Sequence, residues 1–292
     1  MSKSILKPIL SKKNAHPRDP NLVFDEPTHK YTITTDPDSK YTSVTTWNHS
    51  HFPHFDADKV IANMMKGKNW NPENKYWGLT AQQIKDQWSQ NAESVSGAGT
   101  DLHFDIECFM NQELPEGNDC THRTLLENYH DFLDQGNKPP NESDEWNYFL
   151  QYARAFPNFK PYRTEWMIYD EELKLAGSID MVYENPDGTL SIYDWKRAKE
   201  IKKTNSFNES ALTECINHLP HTNYWHYSLQ LNTYKAILEK QYNKTVTDLY
   251  LVRLHPNNTR QTYDLIKCAD LSEEIKELFE LRRIQVQKEI NT

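Results

Sequence analysis

Glycine is scarce in this chain, with 8 among 292 residues. No internal repeat or low-complexity tract is present. With 37% hydrophobic and 12% aromatic residues, the composition is that of an ordinary globular protein and not of a disordered one. Cysteine is also thin. Cys108, Cys120, Cys215 and Cys268 are widely separated with no CxxC pair, which argues against a zinc knuckle or a compact disulfide framework and for four reduced thiols. No run approaches the ~20 apolar residues of a membrane span. The opening "MSKSILKPILSKKNAHPRDP" lacks the apolar block of a signal peptide, so an intracellular protein without membrane contact is expected. Positive charge is in deficit: 33 Lys and Arg against 42 Asp and Glu give a net charge of −9. A surface coated with basic residues for nonspecific nucleic-acid binding is therefore excluded, and any such contact must be local. A phosphate-binding loop is missing too, so ATP-driven translocation would need a partner. The clusters "HSHFPH" (His49, His51, His54) and "HLPHTNYWH" (His218, His221, His226) lack the spacing with cysteines of a structural zinc site.

What is present suggests one folding unit with an appendage. Residues 1–20 read as a flexible N-terminal segment and 21–292 as a single domain, mainly helical over 47–160 and carrying a sheet over 161–292. "NLVFDEPTHKYTITTDPDSKYTSVTT" reads as a hairpin around a Pro/Asp/Ser turn, followed by an extended piece ending near Thr46. "DADKVIANMMKG" and "TAQQIKDQWSQNAESVSGAGTDLHFDIECFMN" have helical spacing, with Thr80 and Gln83 as a capping box and "SGAG" breaking or tightening the second helix. Two more helices, "HRTLLENYHDFLD" and "SDEWNYFLQYARAF", flank the linker "QGNKPPNES". Three strands then form a meander, "YRTEWMIYD", "LKLAGSIDMVYE" and "TLSIYDWK". The helix "YWHYSLQLNTYKAILEKQY" followed by the strand "TDLYLVRLH" is a crossover, which predicts a mixed sheet. A short strand "RQTYDLIKC" and an amphipathic helix "LSEEIKELFELRRIQVQKEI" close the chain.

The chemistry concentrates in "LAGSIDMVYENPDGTLSIYDWKRAKEIKK". Asp180 and Asp194 end two apolar runs joined by a turn, and an ionised Asp there is costly unless something pairs with it. If the strand bends or diverges after Gly177, the carboxylates can converge, a hard oxygen set suited to Mg²⁺ or Mn²⁺. Lys196 points to the same side as Asp194, where an ammonium can orient or help deprotonate a metal-held water. The bland alternative is a surface turn rich in Asp with a cross-strand ion pair. "KRAKEIKK" is either a solvated helix face or a phosphate-binding run.

Further residues carry a resemblance. "GSID" fourteen positions before "DWK" is similar to the core of the PD-(D/E)XK nucleases. "GTDLHFDIE", "TEWMI", "QLNTY" and the early "FDEPTHKY…YTSVTT" resemble its RecB-like branch, which includes phage exonucleases, CRISPR-associated RecB-like exonucleases and the mitochondrial genome maintenance exonuclease. The resemblance implies an α/β, restriction-endonuclease-like fold: a mixed central sheet flanked by helices, with an N-terminal hairpin and helical region. It implies catalytic roles for Asp180, Asp194, Lys196 and Glu165, and a metal, Mg²⁺ or Mn²⁺, held by His103, Asp180, Asp194 and the backbone carbonyl of Trp195. The His103 nitrogen would tilt the preference toward Mn²⁺. Glu107, one helical turn later, could brace His103 or be solvated. Gln230 and Tyr234 share a helix face and would contact phosphate or support Lys196. Arg197 and Lys199, with Lys202 and Lys203, would bind phosphates while Trp225 or Tyr227 stacks on bases. The cysteine spacing does not suit the iron–sulfur cluster of some relatives. The implied activity is a DNA exonuclease on single strands or ends, in replication, repair or recombination, with a helicase among the conceivable partners. A cap-snatching-like RNA endonuclease and an inactive nucleic-acid-binding module are the alternatives.

Overall fold

The computed structural model describes residues 7–134 and 140–290. After a short helix α1 (Ile9–Lys13) come the hairpin strands β1 (Leu22–Asp25) and β2 (Lys30–Ile33), antiparallel, with Leu22, Tyr31 and Ile33 buried. The hairpin turns at residues 26–29 and not at the Pro/Asp/Ser stretch, because Asp25 accepts the Thr28 N–H at 3.2 Å and His29 adopts a left-handed φ of 49°. The extended piece expected to reach Thr46 is only β3 (Thr42–Ser43). Ser43 Oγ accepts the Thr46 N–H at 3.1 Å and so caps helix α2 (Val44–Ser50).

Helix α3 (Ala57–Lys66) precedes α4 (Ala81–Met110), which starts with the expected Thr80–Gln83 capping box. The break expected at "SGAG" does not occur, and α4 runs unbroken for 30 residues. A helical Gly costs about 1 kcal/mol relative to Ala. Here the cap secures one end and the buried Leu102, Ile106 and Phe109 anchor the other, so the glycines are carried through. Helices α5 (His122–Asp134) and α6 (Asp144–Ala155) follow. Part of the linker expected between them, residues 135–139, lies outside the described residues.

The second half of the chain supplies β4 (Lys160–Asp170), β5 (Leu175–Glu184), β6 (Leu190–Lys196), helix α7 (Asn223–Gln241), β7 (Val246–Arg253), β8 (Asp264–Lys267) and helix α8 (Ser272–Ile290). Strands β4, β5 and β6 form the antiparallel meander, β7 is parallel to β6 through the α7 crossover, and β8 closes the edge. β3 pairs with the first residues of β5. The result is the mixed, helix-flanked sheet of the restriction-endonuclease-like class. One core, around Trp47, Trp166, Leu229 and Ile237, lies under α2, α7 and α8. The other, around Phe109, Trp146, Phe149 and Trp195, lies under α4, α5 and α6. Among the described residues no helix is long and apolar enough to cross a membrane.

Residues 7–20 differ from the flexible segment expected over 1–20, whose first six residues lie outside the described chain. Leu10 is buried, Asn14 donates to the Tyr162 carbonyl at 2.7 Å, and Asp19 takes Arg163 at 2.8 Å and the Trp166 indole at 3.1 Å. The segment straps the outer edge of β4, whose only strand partner among the described residues is β5, and so shields an edge that would otherwise pair with other chains.

Gly177 fixes how closely α7 can lie on β5. A Cβ there would sit 2.8 Å from Tyr234 Cε1 and 3.1 Å from its hydroxyl. Gly177→Ala should therefore destabilise the protein by about 1–3 kcal/mol through overpacking. In a thermal-unfolding cycle, Tyr234→Leu should recover part of that loss in the double variant, because the two residues touch. Strictly additive losses would show that they do not.

Candidate metal centre

The centre forms where two strands part. β6 follows β7 through Lys196↔Arg253, but it pairs with β5 only as far as Met181↔Tyr193. Beyond that pair the Asp180 side chain fills the fork, and its Oδ2 accepts the Trp195 N–H at 3.0 Å. On the other side of β5, Glu165 lies between the pairs Thr164↔Met181 and Trp166↔Ile179, which puts it across from Asp180. Its φ is +42°, a left-handed conformation costing about 1–2 kcal/mol for a residue with a side chain. Ser178 Oγ donates to Glu165 Oε2 at 3.0 Å. From α4, His103 Nε2–H donates to the Trp195 carbonyl at 2.9 Å, and its Nδ1 lies 3.5 Å from Asp180 Oδ2.

His103, Glu165 and Asp180 each offer a ligand atom within 4.8 Å of the others, and no other such His/Cys/Asp/Glu group occurs among the described residues. Glu165 stands inside the group, whereas Asp194, 2% exposed, has its Oδ2 2.6 Å from Lys196 Nζ. A buried carboxylate beside a half-buried ammonium pairs with it, because the carboxylate's charge alone would be costly. Lys196 Nζ also lies 4.5 Å from the centroid of the Tyr227 ring.

Repulsion and burial shape the electrostatics. Burial, reinforced by Asp180 and Glu107, pushes Glu165 up to about 8. Burial raises Glu107 to about 7. Burial and Asp180 raise Asp194 to about 6, against the opposing pull of Lys196. Burial acts to lower the Lys196 pKa, but Asp194 and Asp180 override it and hold the ammonium above its ordinary value. One imidazole, two convergent carboxylates, an adjacent backbone carbonyl and a surplus of crowded acid fit a divalent cation, whose charge would offset the repulsion.

The expected nucleic-acid ligands fare unequally. Tyr234 is 3% exposed and its hydroxyl accepts from Gln230 Nε2 at 3.1 Å, so it is a core residue that braces Gln230. Arg197 pairs with Glu145 at 2.6 Å. Lys199 is exposed, and "KRAKEIKK" is an extended loop after Lys196, not a helix. Trp225 donates its indole N–H to the Lys203 carbonyl at 2.9 Å, and Tyr227 lies beside Lys196, so each already has a local partner. Glu107 influences Glu165 directly, a proximity that the four-residue spacing from His103 only hinted at.

The family model described as the PD-(D/E)XK nuclease superfamily matches residues 81–291. No curated protein matches the chain.

The acid cluster has a consequence for stability. A carboxyl whose pKa is raised on folding stabilises the native state below its unfolded pKa and loses that contribution as pH climbs through the folded value. For Glu165 the window runs from about 4.5 to about 8. In EDTA, Glu165→Gln should melt close to wild type near the acid end of that window and a few degrees above it at the alkaline end. Adding Mn²⁺ should flatten the wild-type profile, since metal binding displaces the protons. A melting difference independent of pH would mean that Glu165 ionises freely in the fold.

Proposed function

The chain belongs to the PD-(D/E)XK nuclease superfamily, and from that membership we propose that it is a divalent-metal-dependent deoxyribonuclease of the RecB-like type, an exonuclease acting on single strands or ends. The observation that carries the reading is the convergence of His103, Glu165 and Asp180 beside the buried Asp194–Lys196 pair. Mg²⁺ or Mn²⁺ bound there would polarise a phosphate oxygen and acidify a water.

The residues divide the remaining work. His103, Asp180 and Glu165 hold the cation, with the Trp195 carbonyl and Asp194 as further oxygen donors. The His103 nitrogen favours Mn²⁺ over an all-oxygen set. Lys196, held as an ammonium, orients the attacking water and stabilises charge on the phosphate, a role that suits its raised pKa better than proton abstraction. Gln230, braced by Tyr234, would contact the phosphate. The Gln-x-x-x-Tyr pair supports the RecB-like branch and hence DNA.

Asp180→Asn is the cleanest test, because it removes a ligand without stranding a buried charge. It should cut cleavage by about 100- to 1000-fold, as loss of a charge-stabilising group does. Lys196→Ala should also abolish cleavage, but it leaves Asp194 buried and unpaired and should cost about 3–5 kcal/mol of stability. Timed digestion of 5′- and 3′-labelled single and double strands, with matched RNA and circular DNA, reads out the class. Terminal, stepwise loss from linear DNA is expected. Preferential cutting of circular RNA, or full activity in Asp180→Asn, would overturn the reading.

A further inference from the structure

After Lys196 the chain leaves the sheet as a loop that bounds a cleft of about 990 Å³ against the start of α7, with Lys199, Lys202, Phe207 and His221 in its lining. The loop is braced by side chains. Asn205 Oδ1 accepts the N–H groups of Phe207 and Glu209, each at 3.1 Å, and its Nδ2 donates to the Glu209 carbonyl at 2.7 Å. Asn223 accepts the Lys202 N–H at 2.9 Å and donates to the Glu200 carbonyl at 2.7 Å. On this braced loop Phe207 stands 80% exposed. A phenylalanine is among the side chains that gain most from burial, so holding one in water on a hydrogen-bonded loop gives up stability that a bound ring could return.

Inward from the cleft the rings continue. His221 stacks on His226 with centroids 5.1 Å apart and planes 12° apart, and His226 lies 5.3 Å from His49. Phe52 backs the row, stacked on His226 at 3.9 Å. Burial pushes His226 down to about 4, so its ring is neutral near pH 7 and stacks without charge repulsion. Flat rings therefore lie at the exposed Phe207 and at His221 in one cleft, which begins at Ala198, two residues after Lys196, and has cations alongside it. Lys199 is exposed, and Lys202 pairs with Glu200 at 2.6 Å in an ion pair open enough to water to be worth little.

We propose that this cleft and ring row form a track for single-stranded nucleic acid, with bases stacking on Phe207 and the imidazoles, and phosphates meeting Lys199 and Lys202 on the way to Lys196. The track rests on the nuclease reading. Its recognition is of base faces and phosphates, which any single strand presents. It also explains how a chain of net charge −9 holds a polyanion, since stacking supplies affinity that long-range attraction cannot.

Fluorescence anisotropy of the full chain with labelled oligothymidylate and oligouridylate, in Ca²⁺, tests it. Phe207→Ala should weaken single-strand binding by about tenfold, within the range for loss of one aromatic–base stack, and Phe207→Trp should restore it. Lys199→Ala with Lys202→Ala should flatten the log-salt slope by about 1.4, at 0.7 per phosphate contact. Mn²⁺ affinity and melting temperature should be unchanged in all of these. Equal effects on both oligomers support a track blind to the sugar. Tighter binding and larger losses with oligouridylate support the track while counting against DNA as the substrate. If wild type cleaves nucleic acid but Phe207→Ala binds within twofold of it, the track alone is overturned. If wild type neither binds nor cleaves any strand, the nuclease reading fails and the track with it.

Discussion

Everything at the candidate metal centre depends on the parting of β5 and β6. Two antiparallel strands that stayed paired to their ends would satisfy each other's backbone and leave no room for a carboxylate between them. Here β6 is held by its parallel ladder to β7 and leaves β5 after Met181↔Tyr193. The Trp195 N–H, freed from the ladder, must find an acceptor, and Asp180 provides it. The same departure leaves the Trp195 carbonyl to His103. One topological choice, the crossover through α7 that sets β7 parallel to β6, thus creates both the gap and the groups that line it.

Crowding acids into that gap has a cost, visible in the raised pKa values of Glu165, Glu107 and Asp194 and in the left-handed backbone at Glu165. The surrounding fold is stiff enough to impose it. Gly177 lets Tyr234 press directly onto β5, Tyr234 braces Gln230, and the N-terminal strap ties the outer edge of β4 through Arg163 and Trp166. Strain of this kind persists where the neighbours over-determine the geometry, and it tends to collect at functional sites.

Charge is distributed in the same economical way. The chain is acidic overall, Arg197 is spent on Glu145, and Lys196 is spent on Asp194. Lys199 and Lys202 sit on the loop after β6, in one cleft with the exposed Phe207 and with His221. Local recognition by a few cations and flat faces is the form of nucleic-acid contact that remains open to a protein with this balance.

The sequence by itself determined the alternation of strands and helices, the mixed sheet and the capping box at Thr80, through local signals of periodicity and side-chain chemistry; its resemblance to a nuclease family singled out His103, Asp180, Asp194, Lys196 and Glu165. It could not rank those residues. Only the tertiary structure put Glu165 with His103 and Asp180 and gave Asp194 to Lys196, because both outcomes depend on the register between β4 and β5 and on where β6 departs. It also decided that "SGAG" does not break α4 and that residues 7–20 form a packed strap, since anchoring at distant points outweighs local propensity. The buried Tyr234 and the row from Phe207 through His221 and His226 to His49 lie still further from sequence reach. Their members come from segments far apart in the chain, and only packing determines which of their faces meet.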